Sequence, residues 1–447
     1  MSLKRGIFYT FLTQVPTLLL FFVASTLMTR SLGDEGRGEF ALFQNLVALV
    51  TMVLGFSLNF GTTYFTAKDQ GDPTRMVRVC TSLLMVNLIA VPLLFLVVFS
   101  NSRLQRVFLP ANTMHWAYLL YLVVLVLLTQ VNNFINSILL GLKKFQIINR
   151  MSIFTAAISA IGYTSLYFLQ DRLDQTWLLP VVLSLHLSYI LINTIFWVYS
   201  YIRVVGIRPR PTWSWAIIRP VLTFVLVAYV ANSMNLVNYR FNIWVVDHYT
   251  GTAQLGLYAV ALGLAQLLFY VPDPFTTVVQ PYLYGEMNRD LLAKFKFIMR
   301  LNFTTVATMA LTLAFIAPWL VPMLFGKVFA GAVPALYWLL PGITFAASSK
   351  LLGPLVVQGN LIRFNLYGVA AATLVTITLS FLLIPSMGIK GAGIASSLSF
   401  LANLIVQCVV VSRRMKITIW DMFILRPSDI ALFWEIAQRR MPVVIRR

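Results

Sequence analysis

A dozen apolar runs, each about 20 residues long, constrain the fold of this 447-residue chain more than any other feature of its sequence. An α-helix of that length crosses the hydrocarbon core of a bilayer. Hydrophobic residues make up 59% of the chain and charged residues 11%, which excludes an ordinary soluble domain. We predict an all-α polytopic membrane protein whose twelve transmembrane helices lie near 8–29, 40–66, 78–100, 116–140, 151–169, 177–201, 216–246, 255–284, 298–320, 333–357, 364–385 and 391–412.

The net charge of +20 comes from basic residues at the ends of these runs. Most of them fall in alternate loops, such as Lys68 and Arg75 after the second predicted span and Lys143 and Lys144 after the fourth. Basic loops stay on the cytoplasmic side of a membrane, which predicts that the N- and C-termini are cytoplasmic. Because the chain has no basic soluble domain, we expect no nucleic acid among its partners.

An internal repeat predicts how the helices are arranged. The segment GDEGRGEFA at 33–41 reappears as GTAQLGLYA at 251–259, with two glycines and the aromatic-Ala pair in register. Six spans per copy preserve membrane orientation, so the two copies form a parallel repeat about a pseudo-two-fold axis along the membrane normal. We predict six-helix lobes at 1–205 and 206–415 around a central cavity, followed by a cytoplasmic interfacial amphipathic tail at 416–447.

Polar side chains inside the predicted spans indicate what such a cavity binds. The seventh predicted span contains Arg240 and asparagines at 232, 235, 238 and 242, whose spacing places these asparagines within one broad helical stripe. Lipid offers no partner for an amide or a guanidinium, so these groups normally face a bundle interior or a wet cavity. Snorkelling to the headgroups remains the alternative for Arg240 and Lys350, and end anchoring for Arg30. The candidate substrate-binding residues are Arg30, Arg240, Lys350, Asn133, Asn232, Asn235, Asn242 and Gln266.

Two carboxylates are candidates for ion coupling, Asp273 in the eighth span and Asp247 at the end of the seventh. Pro272 and Pro274 flank Asp273, and we expect the helix to break there. A carboxylate in a span can take up a proton or help to bind Na⁺, so H⁺ and Na⁺ are the candidate coupling ions; a structural ion pair with a cavity arginine is the alternative for Asp273. We expect no other cofactor, no catalytic residue and no metal site. His186 is more typical of a hydrogen-bonded core histidine than of a proton relay.

Several motifs spread along the whole chain resemble one family. They are RSLG at 30–33 followed by further glycines, LLGLKKFQIINR at 139–150, LFGKVFAGAVPALYWLLPG at 324–342 and IPSMGIKGAGIASSLSF at 384–400. Their order and spacing resemble those of the Wzx-type polysaccharide flippases. That family shares a superfamily with the multidrug and toxic compound extruders (MATE) and the lipid II flippase.

The resemblance implies a MATE-like fold and a defined cargo. It implies that an undecaprenyl-pyrophosphate-linked oligosaccharide, such as an O-antigen repeat unit of lipopolysaccharide, moves from the cytoplasmic to the outer leaflet of the bacterial inner membrane. The lipid bilayer and the polysaccharide polymerase and ligase machinery are then the further partners. Asn242 departs from the family, whose members often carry an acidic residue near this position, and this directs the search for coupling to Asp247 and Asp273.

Three other functions are alternatives. A cation-coupled multidrug antiporter of the same superfamily would have an acidic, apolar cavity. The excess of basic over acidic residues in this chain argues against it. A membrane-embedded glycosyltransferase or polymerase normally needs a sizeable outer loop, whereas Asp34, Glu35 and Glu39 are expected to share one short loop. An assembly scaffold without transport activity requires that no cavity exists.

Overall fold

The structure is a computed structural model that describes residues 3–69, 72–109, 116–273, 289–358, 362–415, 418–427 and 429. This part of the chain consists of α-helices with short connections and contains no β-strand. The helices are α1 (Leu3–Gly55), α2 (Leu58–Lys68), α3 (Thr74–Ser100), α4 (Ser102–Phe108), α5 (Trp116–Gly141), α6 (Phe145–Leu169), α7 (Gln175–Val204), α8 (Trp215–Thr250), α9 (Thr252–Gln266), α10 (Arg289–Phe325), α11 (Val333–Gln358), α12 (Ile362–Met387), α13 (Ile389–Met415) and α14 (Trp420–Phe423).

The described helices confirm the predicted all-α membrane fold. Ten of them are long and apolar enough to cross a membrane, and the bent pair Trp215–Leu226 and Ala228–Thr250 adds an eleventh candidate span. Helix α1 is 53 residues long and kinked at Gly33, and each side of the kink has enough residues for one span. The count is therefore consistent with the twelve predicted spans.

The predicted loop at 30–39 is wrong. These residues are helical, and the chain turns at Gly33 alone, with φ 68° and ψ −171°. Glycine adopts this conformation without a steric penalty, so one residue replaces the loop. The carboxylates of Asp34, Glu35 and Glu39 therefore lie on a helix.

The predicted second span, 40–66, is interrupted before α2 at two residues with left-handed backbone, Phe56 (φ 47°) and Ser57 (φ 51°). Non-glycine residues adopt this conformation uncommonly, and it is unfavourable for a bulky side chain. The interruption places Ser57 and the first residues of α2 beside the cavity described below.

The two copies of the repeat pack directly against each other. A Cβ atom added to Gly38 would lie 2.0 Å from the carbonyl oxygen of Thr252, and one added to Gly256 would lie 1.8 Å from the carbonyl oxygen of Asp34. Gly38 corresponds to Gly256 in the repeat, and Asp34 corresponds to Thr252. The contact is therefore reciprocal, as in an interface around a two-fold axis. Only glycine permits the two backbones to approach this closely.

The described chain forms two compact units. The first contains 1–261, 318–335 and 376–392, and the second contains 262–317, 336–375 and 393–447, within the described ranges. The core of the first unit is built from buried aromatic and aliphatic side chains of α1, α3, α5, α6 and α7. The core of the second includes Phe295, Met299, Leu352 and Met422. The predicted lobes at 1–205 and 206–415 remain a prediction.

An ion pair within the second unit fastens the described part of the tail to α10. The Arg300 guanidinium donates two hydrogen bonds to the Asp429 carboxylate, at 2.6 and 2.7 Å, and a third to the backbone oxygen of Asp421 at 2.7 Å. Both side chains of the pair are buried. Burial tends to raise the pKa of Asp429, but the hydrogen bonds from Arg300 and the backbone N–H of Arg426 outweigh it and lower that pKa. The rest of the predicted interfacial tail lies outside the described residues.

Candidate substrate cavity

A polar cavity of about 760 Å³ lies within the first unit and is lined by residues of α1, α2, α5, α7 and α8. Its volume is within the range typical of small-molecule sites. Asn133 and Asn136 of α5 and Asn232 and Arg240 of α8 all line it. The structure thus brings together three of the residues that the sequence singled out for substrate binding, Arg240, Asn133 and Asn232.

Arg240 lines this cavity, and no described residue neutralises its charge. In the described part of the chain, its guanidinium makes no hydrogen bond and no ion pair, although its backbone oxygen accepts a hydrogen bond from Asn45 Nδ2 at 3.4 Å. Removing a cation from bulk water without a compensating partner is costly. A water-filled cavity or an anionic ligand reduces that cost. The arrangement is therefore suited to binding an anion.

Amides and hydroxyls provide the remaining polarity of the cavity. Asn232 Nδ2 donates to Ser57 Oγ at 3.0 Å, which connects α8 to the break between α1 and α2. Asn59 and Thr63 of α2 also line the cavity. Such groups both donate and accept hydrogen bonds, as sugar hydroxyls and water do. No carboxylate lies among the described lining residues.

His186 closes one wall of the cavity as a hydrogen-bonded core residue, which confirms the sequence-based interpretation. Its Nδ1 lies 2.6 Å from the Tyr121 hydroxyl, and Gln44 Nε2 lies 3.1 Å from its Nε2. The imidazole also packs edge-on against the ring of Phe40. These contacts hold the side chains of α1, α5 and α7 in one wall.

Other candidates on α8 lie outside the cavity lining. Asn242 is buried, donates to the Ala392 backbone oxygen at 3.1 Å, and accepts a hydrogen bond from Ser380. Asn235 is partly buried and does not line the cavity. The asparagine stripe therefore divides, with Asn232 at the cavity and Asn242 joining α8 to α12 and α13 within the first unit.

Arg30 also lies outside the cavity. Its Nε donates to the Leu324 backbone oxygen at 2.5 Å, and its Nη2 donates to that of Met323. These carbonyls belong to the last turn of α10, where no intrahelical donor is available. A cation there also interacts favourably with the helix dipole. The contacts correspond to the end-anchor alternative for Arg30.

The two ion-coupling candidates have different surroundings. In the second unit, Asp273 Oδ1 lies 2.8 Å from Lys350 Nζ, which also lies 4.2 Å from the centre of the Phe269 ring. In the first unit, Asp247 Oδ1 accepts a hydrogen bond from Thr252 Oγ1 at 2.9 Å. Asp273 is thus in an ion pair, but its partner is a lysine and not the cavity arginine of the sequence-based alternative. Asp247 instead accepts a hydrogen bond near the end of α8.

The predicted break near Asp273 begins earlier in the chain than expected. Helix α9 ends at Gln266, and a 3₁₀ turn follows over Leu267–Tyr270. Gln266 is partly buried and belongs to the second unit. The part of the eighth predicted span beyond Asp273 lies outside the described residues.

Sequence reasoning missed Arg37 by assigning it to a loop. Its Nε is buried and has no hydrogen-bond partner in the described part of the chain, and its guanidinium lies 5.7 Å from the centre of the Phe40 ring. Arg37 also interacts electrostatically with Arg240. Gly33 is the signal that could have placed Arg37 in a span. A single glycine can turn the chain without a loop, so the residues after it can belong to the next helix.

Among the described residues, no group of three or more His, Cys, Asp or Glu side chains is arranged to hold a metal ion.

Comparisons with solved structures define the class of this fold. A multidrug resistance MATE family transporter of the MOP superfamily, in an inward-facing conformation, superposes with a TM-score of 0.68 at 15% identity, covering 89% of this chain and 94% of the other. The lipid II flippase MurJ, in an inward closed conformation, gives a TM-score of 0.68 at 13% identity, covering 98% and 93%. The chain is thus a multi-pass membrane protein with the fold of these transporters.

A third structure, a MOP superfamily transporter from Pyrococcus furiosus described as having a binding pocket of reverse polarity, gives a TM-score of 0.64 at 13% identity, covering 93% of this chain and 96% of the other. A search of curated proteins finds no match. The model of the polysaccharide biosynthesis protein family matches residues 3–285. The chain belongs to that family.

Proposed function

We propose that this protein is a flippase that moves an undecaprenyl-pyrophosphate-linked oligosaccharide from the cytoplasmic to the outer leaflet of a bacterial inner membrane, with both termini in the cytoplasm. The observation that carries the proposal is the Arg240 guanidinium, which has no partner among the described residues and lies in a cavity lined by amides and hydroxyls. Family membership and the fold shared with a lipid II flippase support it. The cargo is an O-antigen unit or a similar repeat of a surface polysaccharide.

The physical argument starts from the headgroup. A pyrophosphate-linked sugar is anionic and strongly hydrated, so its passage through hydrocarbon without compensating contacts is prohibitive. Arg240 supplies a charge-assisted contact for a phosphate oxygen, and asparagine amides replace part of the hydration shell of the sugar. The polyprenyl tail stays in lipid, and alternating access carries the headgroup across.

For the driving step, we propose that H⁺ or Na⁺ acts at Asp273, with Asp247 as the second candidate. The Lys350 ammonium occupies the position beside Asp273 that a coupling cation would need. Binding of an ion there would therefore compete with the ion pair and release Lys350. Such competition links ion occupancy to a change in local structure.

The multidrug antiporter is less well supported. A cavity for cationic drugs needs negative charge, whereas the described lining of this cavity contains Arg240 and no carboxylate. An unpaired arginine would repel a cationic drug. The glycosyltransferase alternative lacks support because Asp34, Glu35 and Glu39 lie on α1 and none of them lines the cavity.

The decisive experiment compares Arg240→Ala and Arg240→Lys in reconstituted vesicles, with flipping of an undecaprenyl-pyrophosphate-linked glycan as the measurement. A charge-assisted hydrogen bond contributes roughly 1.5–3 kcal/mol. We therefore expect alanine to weaken headgroup binding by about tenfold to a hundredfold. Lysine should recover part of the activity, since it keeps the charge but loses the planar two-point contact with phosphate.

Arg219→Ala is the matched control, because Arg219 is an exposed arginine of the same helix outside the cavity lining. It should flip the substrate at the wild-type rate. Wild-type flipping by Arg240→Ala at equal protein levels would contradict the proposal. Drug efflux that depends on Arg240, without flipping of the glycolipid, would support the antiporter instead.

A further inference from the structure

One end of the cavity differs in chemistry from the end that holds Arg240. At this end the break between α1 and α2 meets α5 and α8, and Ser57, Asn59, Phe60, Asn136 and Asn232 all line the cavity. None of these residues carries a charge. Asn232 lies eight positions before Arg240 on α8, which corresponds to roughly 12 Å at 1.5 Å per residue. The distance between the uncharged end and the Arg240 guanidinium is therefore comparable with the combined length of one sugar unit and its phosphate linkage.

The backbone at this end is held in an unusual conformation. Phe56 and Ser57 are consecutive residues with left-handed φ values of 47° and 51°, and Ser57 is fixed by the hydrogen bond from Asn232. Strained backbone of this kind persists where the surroundings enforce it, and it is concentrated at binding and catalytic sites. Here it turns the start of α2 so that Asn59 and Phe60 face the cavity.

A hydrogen-bond acceptor at this end lacks a donor. The side-chain oxygen of Asn136 is buried and has no hydrogen-bond partner in the described part of the chain. Buried polar atoms without partners are uncommon, because each carries a desolvation cost of about 1–3 kcal/mol. Because the Asn136 side chain lines the cavity, a rotation of its amide would bring this oxygen within reach of a hydroxyl or amide N–H of a ligand. The asparagine amides nearby can both donate to and accept from such a ligand.

An aromatic surface accompanies these amides. Phe60 packs face to face with Phe224, with ring centres 6.0 Å apart, and Phe224 stacks in turn on Tyr64 at 4.4 Å. Phe60 is 49% exposed and lines the cavity. Aromatic rings supported in this way offer a rigid apolar surface. The apolar face of a pyranose ring, which consists of C–H bonds, matches such a surface while its hydroxyls reach the amides.

We propose that this end of the cavity is a subsite for an uncharged pyranose ring of the headgroup, stacked on Phe60 and hydrogen-bonded by Asn136, Asn59 and Asn232. The inference rests on the proposed flippase function and specifies how the headgroup lies, with phosphate at Arg240 and sugar at the break. An acidic sugar would be desolvated here without a counter-charge, so the subsite selects against uronic acids.

The test uses the full-length protein in lipid nanodiscs and three probes: undecaprenyl pyrophosphate, the same lipid carrying N-acetylglucosamine, and the same lipid carrying glucuronic acid. In the wild-type protein, the N-acetylglucosamine lipid should bind about tenfold more tightly than the other two, which corresponds to about 1.4 kcal/mol. Asn136→Leu and Phe60→Leu should each remove most of this preference. Their affinity for the sugar-free lipid should stay at the wild-type value.

Two control variants exclude general damage. Asn132→Leu removes another buried amide oxygen of α5 that has no partner among the described residues and does not line the cavity. Phe145→Leu replaces an exposed phenylalanine outside the cavity. Both should keep the preference for the N-acetylglucosamine lipid. Retained binding of the sugar-free lipid by Asn136→Leu shows that this variant is folded.

The outcomes separate this inference from the proposed function. If wild-type protein binds none of the three lipids, the proposed function itself fails. If it binds all three equally, or if Asn136→Leu and Phe60→Leu keep the preference, the subsite is wrong while a phosphate-dependent flippase stands. If the glucuronic acid lipid binds as tightly as the N-acetylglucosamine lipid, the selection for an uncharged ring is overturned.

Discussion

Arg240 and Lys350 are both cations within apolar helices, but the structure gives them opposite surroundings. Arg240 in the first unit lines a cavity of amides and has no ionic partner in the described part of the chain. Lys350 in the second unit lies 2.8 Å from Asp273 and over the ring of Phe269. One cation is available to an external anion, whereas the other is already neutralised. The difference shows that the partner of a charge, rather than its depth in a span, indicates its role.

The second unit carries this arrangement further at Arg300. Its guanidinium forms two hydrogen bonds with Asp429, and both side chains are almost fully buried. The Lys350–Asp273 pair is considerably more exposed, with 34% and 43% of the two side chains accessible. The three cations are therefore neutralised to different degrees: Arg300 in a buried ion pair, Lys350 in a partly exposed ion pair, and Arg240 by no described residue. We expect their contributions to stability to decrease in that order.

The largest expected effect follows from breaking the buried pair. Asp429→Ala leaves the Arg300 guanidinium buried without its carboxylate, and loss of one partner of such a pair costs about 3–5 kcal/mol. We expect the free energy of unfolding in mixed micelles to fall by this amount. Asp421→Ala is the control, because its carboxylate is more exposed and the pairs it forms contribute about 1 kcal/mol or less. Equal effects of the two variants would refute the ranking.

The partly exposed Lys350–Asp273 pair should contribute less to stability than the buried Arg300–Asp429 pair, and its proposed role is to couple transport to an ion gradient. A double-mutant cycle of Asp273→Asn and Lys350→Met should give an interaction energy of about 0.2–1 kcal/mol, because solvent weakens exposed ion pairs. If Asp273 couples transport to an ion, Asp273→Asn should also abolish the dependence of flipping on the ion gradient. Unchanged gradient dependence at normal protein levels would remove Asp273 from the coupling step, and Asp247→Asn would be measured next.

The sequence predicted the membrane fold because hydrophobic length and basic loops are local properties. The repeat was also predictable, since Gly38 and Gly256 occupy equivalent positions in two visible motifs. Ionic partners were not predictable in the same way, because Asp273 and Lys350 are 77 residues apart. The sequence offered phosphate contact or snorkelling for the lysine, and an arginine as the ionic partner of the aspartate. Such pairing depends on tertiary packing, which no local pattern encodes.

The residues that line the cavity were only partly predictable, because helical periodicity is also a local property. Helical periodicity placed Asn232 in one broad stripe with the other asparagines of α8, and Asn232 lines the cavity, as does Arg240. The same periodicity also selected Asn242, which instead bonds to Ala392 and Ser380. A helix turns 100° per residue, so a stripe of this width contacts two different surroundings. The break at Phe56 and Ser57 directly follows Gly55, the last residue of α1, but a single glycine inside an apolar run is too weak a signal to predict a break.

The smallest expected effect on stability is that of Arg240, and it tests the comparison most sharply. Replacing a cation that has no partner in the part of the chain that the structure describes removes a desolvated charge and breaks no side-chain hydrogen bond seen there. It also removes the electrostatic repulsion between Arg37 and Arg240.

We therefore expect Arg240→Met, which keeps the unbranched shape, to leave the thermal unfolding temperature unchanged or raise it, while flipping is lost. This is the stability–activity trade-off expected where a protein keeps an unfavourable group for its function. A clear fall in unfolding temperature, comparable with that of Asp429→Ala, would show that Arg240 is neutralised in the membrane by a partner of its own and does not await an anionic headgroup.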